Sequence, residues 1–273
     1  MNVTLITGAS GGIGEAFARR LAAEKHNLLL VARSEPKLRT ICGELTQQFG
    51  IQAQYVAVDL TKPGADQLLF DETEKRNLTV DGLINNAGIG SGGDLLELDL
   101  ASELAMMQLN MNALVALTYR FLPGMRARKH GTIINVASMA CFQPIPYMAV
   151  YAASKMFVRS FTEAMMVENQ PFQIRVMLLC PGATETGFFD AANLTGEKRS
   201  AYSGGDRTET PEQVVESAMR GLRAGKRITV SGFQNRVTAF LGHFIPNSFI
   251  MPILAGWLRP KAKDQGGVAT RSI

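Results

Sequence analysis

The sequence predicts an α/β protein built on a doubly wound parallel sheet of about seven strands, with helices on both faces, in a single domain over residues 1–273. Three observations carry that expectation. From residue 3 to about 230, short apolar runs alternate with longer stretches of helical period. Most of the runs are Val, Ile and Leu throughout rather than at every second position, as strands covered on both faces must be. The first run leads directly into the glycine-rich turn Gly8-Ala9-Ser10-Gly11-Gly12-Ile13-Gly14, inside which a helical stretch begins.

In chain order, strands are expected at 3–7, 27–32, 54–57, 82–85, 132–137, 175–179 and 227–230, and helices near 13–24, 35–49, 64–76, 101–128, 151–168 and 211–224. The last helix has the clearest start. Thr210 can cap it, Pro211 suits its first position, and Gln213 completes a capping box. No linker, internal repeat or low-complexity tract divides the chain. Segments 88–94, 141–148 and 182–209 are the least regular, and they follow strands four, five and six. They therefore fall at the carboxyl edge of the sheet, where open α/β folds bind ligands.

Composition narrows the function classes. The chain is 46% hydrophobic and 19% charged, an ordinary globular balance. Its net charge of +4 is small for the length, and no basic run precedes the C-terminal tail, so nucleic acid is not an expected partner. Cys42, Cys141 and Cys180 form no CxxC pair, which points to a reducing compartment rather than a disulfide framework. His26, His130 and His243 join no cluster of ligands, so no metal is expected. No basic stretch followed by a long apolar segment opens the chain, so the expected location is the cytoplasm.

The glycine-rich turn has the chemistry of a phosphate cradle. Gly8, Gly12 and Gly14 let the backbone turn sharply and approach a pyrophosphate, while the helix start at Ser10–Ile13 offers free N–H groups. With Thr7 in front, the Gly-x-x-x-Gly-x-Gly spacing resembles the nucleotide loop of the short-chain dehydrogenase/reductase family, which has a Rossmann-type fold. Further motifs stand in family order. Asp59 and Leu60 resemble the segment that contacts adenine. Asn85-Asn86-Ala87-Gly88 matches the Asn-Asn-Ala-Gly motif, and Pro181-Gly182 with Thr184 and Thr186 resembles the segment beside the nicotinamide. The resemblance covers residues 1 to about 230. After the second strand the chain reads Ala32-Arg33-Ser34, with no carboxylate before Glu35. A cation and a hydroxyl there suit a ribose 2′-phosphate, so NADP(H) is the expected cofactor.

Tyr151 and Lys155 stand four apart on a helix, so both project from one face. A nearby ammonium is expected to lower the phenol's pKa and make Tyr151 a usable proton donor and base. Ser138 precedes Tyr151 by thirteen residues at the end of the fifth strand. The family resemblance implies that Tyr151 is the general acid/base and that Ser138 bonds the substrate oxygen. Lys155 would tune Tyr151 and touch the nicotinamide ribose. A fourth family residue, an asparagine that holds a relay water, falls on Asn110, selected over Asn112 by the distance to Leu122-Pro123. The implied reaction interconverts a carbonyl and an alcohol. A non-catalytic dinucleotide sensor on the same fold is the alternative.

Met139, Phe142, Ile145 and Met148 after Ser138, and Phe188 and Phe189 after Pro181-Gly182, suggest a lipophilic ketone or 3-oxoacyl substrate. The polar run from there to Glu209 reads as a lid, and Cys141 and Cys180 read as packing. From Val237 to Leu258 the tail (an apolar extension over about 232–273) has no Asp, Glu, Lys or Arg. Pro246, Pro252, Gly242 and Gly256 argue against a membrane span. The tail is expected to pack over the site or in a homodimer or homotetramer, with peripheral membrane contact through Arg236, Arg259, Lys261 and Lys263 as the other reading. Truncation after Ser231 is expected to leave cofactor binding intact.

Overall fold

The computed structural model describes residues 1–188, 208–242 and 244–258. Seven parallel strands form one sheet in the order β3-β2-β1-β4-β5-β6-β7. They are β1 (Asn2–Thr7), β2 (Leu28–Ala32), β3 (Ala53–Ala57), β4 (Thr79–Asn85), β5 (Gly131–Val136), β6 (Ile174–Cys180) and β7 (Ile228–Val230). The order reverses between β1 and β4, and this switch point opens a crevice at their carboxyl ends. The helices are α1 (Gly12–Ala23), α2 (Glu35–Phe49), α3 (Ala65–Lys75), α4 (Leu100–Met107), α5 (Leu114–Arg128), α6 (Ala149–Glu168) and α7 (Pro211–Arg223), then α8 (Phe233–Gly242) and α9 (Asn247–Leu258).

The continuous apolar strands bury both faces. One core joins Val3, Leu5 and Leu29 to Leu69 of α3, Leu117 and Phe121 of α5 and Val158 of α6. The other joins Ile6, Leu28 and Leu30 to Phe17 of α1, Leu38 of α2 and Val214 of α7. Alternate strand residues feed alternate faces, as the two-residue period requires. A buried polar ladder ties the strands behind the crevice. Asn85 donates to Asn135 Oδ1 at 2.9 Å and Asn135 donates to Thr162 Oγ1 at 3.0 Å.

Three expectations change. The helix expected over 101–128 is α4 and α5 joined by a π-helical turn, Gln108–Ala113. Asn110 lies within this turn and directs its amide onto the Ile89 backbone, and such turns often mark functional positions. β4 starts at Thr79, ahead of the expected 82, because a register shift between Val3 and Thr4 lets Gly82 sit flush against Thr4. The tail forms α8 and α9, which were not expected as helices. Among the described residues no helix is long and apolar enough to cross a membrane. Phe189, the run up to residue 207, His243 and the cations Arg259, Lys261 and Lys263 lie outside the described residues.

Candidate active site

The carboxyl ends of β1, β2, β4, β5 and β6 converge on one cleft of about 520 Å³. At its floor Thr7 clamps two strand ends, its Oγ1 accepting from Asn86 N at 3.0 Å and Ala87 N at 2.9 Å. Asn86 donates back to Thr7 O at 2.9 Å. Gly8 turns at φ 65° and Gly12 at φ 54°, conformations costly for other residues. A side chain at Gly14 would collide with Gly8 O and Asn86. Gly11 caps α1 without any side-chain hydrogen bond, so the first amides of α1 stay unclaimed by side chains. This close-packed turn with an open helix start fits a pyrophosphate.

Gly8, Ser10, Gly12, Ile13, Arg33, Asn86, Ala87, Gly88, Pro181, Gly182, Thr184 and Thr186 line the cleft with Ser138, Tyr151 and Lys155. Of the residues expected at the cofactor, Gly14, Ser34, Asp59 and Leu60 do not. Ser34 holds the N-cap position of α2 without a side-chain cap bond, Leu60 is buried in the core, and Asp59 turns back to accept from Thr61 N and Oγ1 at 3.0 and 2.8 Å. Asp59 remains near enough to Arg33 for the two charges to interact. The Thr61 bonds and the Arg33 charge outweigh partial burial and hold its carboxyl below the ordinary range.

Tyr151 lies in the first turn of α6, which starts at Ala149 rather than at the tyrosine, and it is only 7% exposed. Ser138 sits where β5 gives way to a 3₁₀ turn, its hydroxyl accepting from Ala140 N at 3.2 Å on the side of the cleft that holds Tyr151. One turn on, Lys155 Nζ lies 5.9 Å from the Tyr151 ring centroid and donates to Val136 O at 3.1 Å. Asn110 is buried behind them. Its Nδ2 donates to Ile89 O at 2.9 Å and Ser154 Oγ at 3.0 Å, and its Oδ1 accepts from Ile89 N at 3.0 Å. Asn112 instead pairs with Gln108 on an exposed face. A side chain at Gly88 would press on both Asn110 Oδ1 and Lys155 Nζ, so that glycine lets the two groups approach.

The family described as short chain dehydrogenase matches residues 2–196. The chain belongs to the short-chain dehydrogenase family. It is 34% identical over 222 residues to the 3-ketodihydrosphingosine reductase of Bacteroides thetaiotaomicron, covering 81% of this chain and 74% of that protein. A very-long-chain 3-oxoacyl-CoA reductase of Anas platyrhynchos is 27% identical over 284 residues, covering 96% of this chain and 84% of that one. A short-chain dehydrogenase of Sphingobium yanoikuyae, solved in complex with NADPH, matches with a TM-score of 0.79 at 26% identity, covering 100% of both chains.

The electrostatics of this short-chain dehydrogenase depart from the sequence expectation. Burial pushes the Tyr151 phenol up to about 12, against the opposing influence of the neighbouring Ser138 hydroxyl. Burial also brings Lys155 down to about 8. The lysine therefore does not lower the phenol here: its ammonium is turned to Val136 O, and desolvation dominates both groups. Sequence reasoning also missed three residues. Lys37 joins Arg33 on the cleft wall, one helical turn further on. Ser154 links Asn110 to the Tyr151 carbonyl, donating to it at 2.7 Å. Asn235 of α8 lies against the Gly182 backbone and donates to Ser231 O at 2.9 Å and Glu209 Oε2 at 3.3 Å. Only Lys37 had a signal in the sequence, its spacing of four from Arg33.

Among the described residues Cys141 and Cys180 pack thiol to thiol at 3.6 Å, both buried. A second hollow of about 580 Å³ borders Glu15, Arg19 and Glu212 but holds neither Ser138 nor Tyr151.

Proposed function

We propose that the chain is an NADP(H)-dependent oxidoreductase that interconverts a carbonyl and a secondary alcohol on a lipophilic substrate. One observation carries the reading: a single cleft has Arg33 and Lys37 at one end and the Ser138–Tyr151–Lys155 group at the other, with the glycine turn between. The cations suit a 2′-phosphate, the open start of α1 a pyrophosphate, and the polar triple a reacting carbonyl oxygen. The NADPH complex of the related Sphingobium protein supports the same cofactor.

When bound, the cofactor supplies a hydride to the carbonyl carbon. Every other task falls to this chain. Ser138 donates a hydrogen bond to the carbonyl oxygen, and Tyr151 Oη gives its proton to the oxygen as negative charge develops there. A phenol held near 12 is fully protonated at neutral pH, which suits the acid of a reduction better than the base of an oxidation. Lys155 supplies positive charge beside Tyr151 and contacts the ribose. Asn110 keeps the turn over Lys155 in place, and with both N–H bonds used it has one carbonyl lone pair left for a relay water.

The substrate end is apolar. Ile89, Ile145, Met148, Ala183 and Phe188 pack around Tyr151, and the Phe188 ring centroid is 5.4 Å from that of Tyr151. Phe188 reaches this position because Gly90 leaves room for its ring edge. One of the reductases above is named for a very-long-chain 3-oxoacyl substrate and the other for 3-ketodihydrosphingosine, and an apolar lining suits such substrates. We further propose a homodimer or homotetramer, with Phe157, which stacks on Phe161 of the same helix, on the face a second copy would cover. A cytoplasmic setting agrees with free cysteines.

The deciding experiment measures NADPH oxidation with 3-oxoacyl thioesters, ketosteroids, aliphatic ketones and aldehydes, and quinones. Turnover with a lipophilic ketone, faster with NADPH than with NADH, is expected. If NADPH binds tightly yet no carbonyl is turned over, the chain is a dinucleotide sensor.

A further inference from the structure

The last two helices present a surface that the carbonyl chemistry does not use. Neither α8 nor α9 contains a buried residue. Phe233, Phe240, Phe244, Phe249 and Ile253 are exposed, and Trp257 is 77% exposed. α9 is apolar almost all round, so packing one stripe onto the body would still leave apolar surface uncovered. Contiguous exposure of this kind needs a covering partner.

Charge selects among the partners. Between Glu216 and Asp264 the sequence has no Asp or Glu, while Arg236, Arg259, Lys261 and Lys263 lie within or just beyond the tail helices. A second copy of this segment would bring more cations and no carboxylate to meet them. An anionic lipid surface offers apolar depth for the aromatics and negative headgroups for the cations. The position of the helices adds a consequence. In its first turn α8 sets Asn235 against Gly182 on the cleft wall, and it ends with Gly242 beside Gln143, in the loop that carries Ile145 and Met148.

We propose that α8 and α9 dock this protein on the surface of an anionic bilayer, lying along it without crossing it. The docked face adjoins the substrate mouth, so a lipid-borne ketone reaches Tyr151 from the bilayer side. The docking does not depend on the cofactor assignment.

The test is sedimentation of the full chain with phosphatidylcholine vesicles, with and without phosphatidylglycerol. NADPH binding and oligomer size are measured on the same samples. Binding to the phosphatidylglycerol vesicles alone, weakened by salt, is expected. Arg236→Gln should weaken it about fivefold, the equivalent of the ~1 kcal/mol that a basic residue contributes at such a surface. A triple variant, Phe240→Asp, Phe249→Asp and Trp257→Asp, should lose it while keeping NADPH affinity and oligomer size. The proposal is overturned if the wild type stays in the supernatant with both vesicles, or binds both equally. It is also overturned if the triple variant changes oligomer size instead of vesicle binding, since a second copy would then cover the tail. NADPH binding retained throughout would leave the enzymatic reading intact in each case.

Discussion

Arg33 and Lys155 are cations in opposite surroundings, and each gives a prediction from that difference. Arg33 is exposed on the cleft wall beside Lys37. Arg33→Asp should therefore reverse the preference for NADPH over NADH. The expected loss in NADPH affinity is about tenfold to a hundredfold, the worth of a charge-assisted contact. Equal wild-type affinities for the two cofactors would contradict the role. Lys155 is buried, and its proton is held only to about pH 8 against an ordinary 10.5. The ammonium is thus present below about 8 and lost above it. The kcat/KM for reduction should fall as pH rises through that value, and a flat profile to pH 10 would argue against a need for the charge. The unfolded chain holds this proton more tightly, so Lys155 destabilises the fold at neutral pH, and stability recovers as pH rises from about 8 to 10.5. Lys155→Met should consequently raise the melting temperature at pH 7 while removing turnover, and a lower melting temperature would show that its bond to Val136 outweighs the burial cost. The residues proposed to act on ligands were legible in the sequence because their chemistry is unusual for their place. Ser154 and Asn235 were not, because their roles come from packing.

At the scale of elements, the loop after β6 is held from behind by α8. A side chain at Gly182 would run into Asn235, whose amide donates to Ser231 O and Glu209 Oε2, and Glu209 N in turn donates to Ala183 O of the loop at 2.9 Å. Gly182→Ala should push the loop off its support and raise the KM for NADPH by roughly tenfold, in line with ~1–3 kcal/mol for overpacking. Asn235→Gly in the same chain should restore part of that loss. If the double variant is no better than the single, the contact with Asn235 does not set the loop. The sequence expectation for the tail is revised by the same geometry. Truncation after Ser231 removes Asn235 and should weaken NADPH binding, whereas truncation after Gly242 should not, and titration of both truncated forms with NADPH checks this. Element order was readable because apolar runs and capping signals are local. The π turn, the early start of β4 and the first tail helix were hidden because each involves a distant partner: Ile89 for Asn110, Thr4 for Gly82, and Gly182 for Asn235.

For the whole molecule, a sheet whose order reverses between β1 and β4 brings segments from residue 8 to residue 188 onto one cleft. The parallel fold was visible in the sequence, since strands buried on both faces cannot alternate. The electrostatic state of the cleft was not, because only the assembled core shows how completely Tyr151 and Lys155 lose water. Proton delivery by Tyr151 is the central step of the proposed reaction. The most direct measurement is the single-turnover rate of NADPH oxidation by the wild type and by Tyr151→Phe, on the best lipophilic ketone of the substrate panel. NADPH affinity is measured alongside. The account predicts a fall of at least about a hundredfold in rate, the low end for general acid catalysis, with affinity nearly unchanged. Near-equal rates would contradict it.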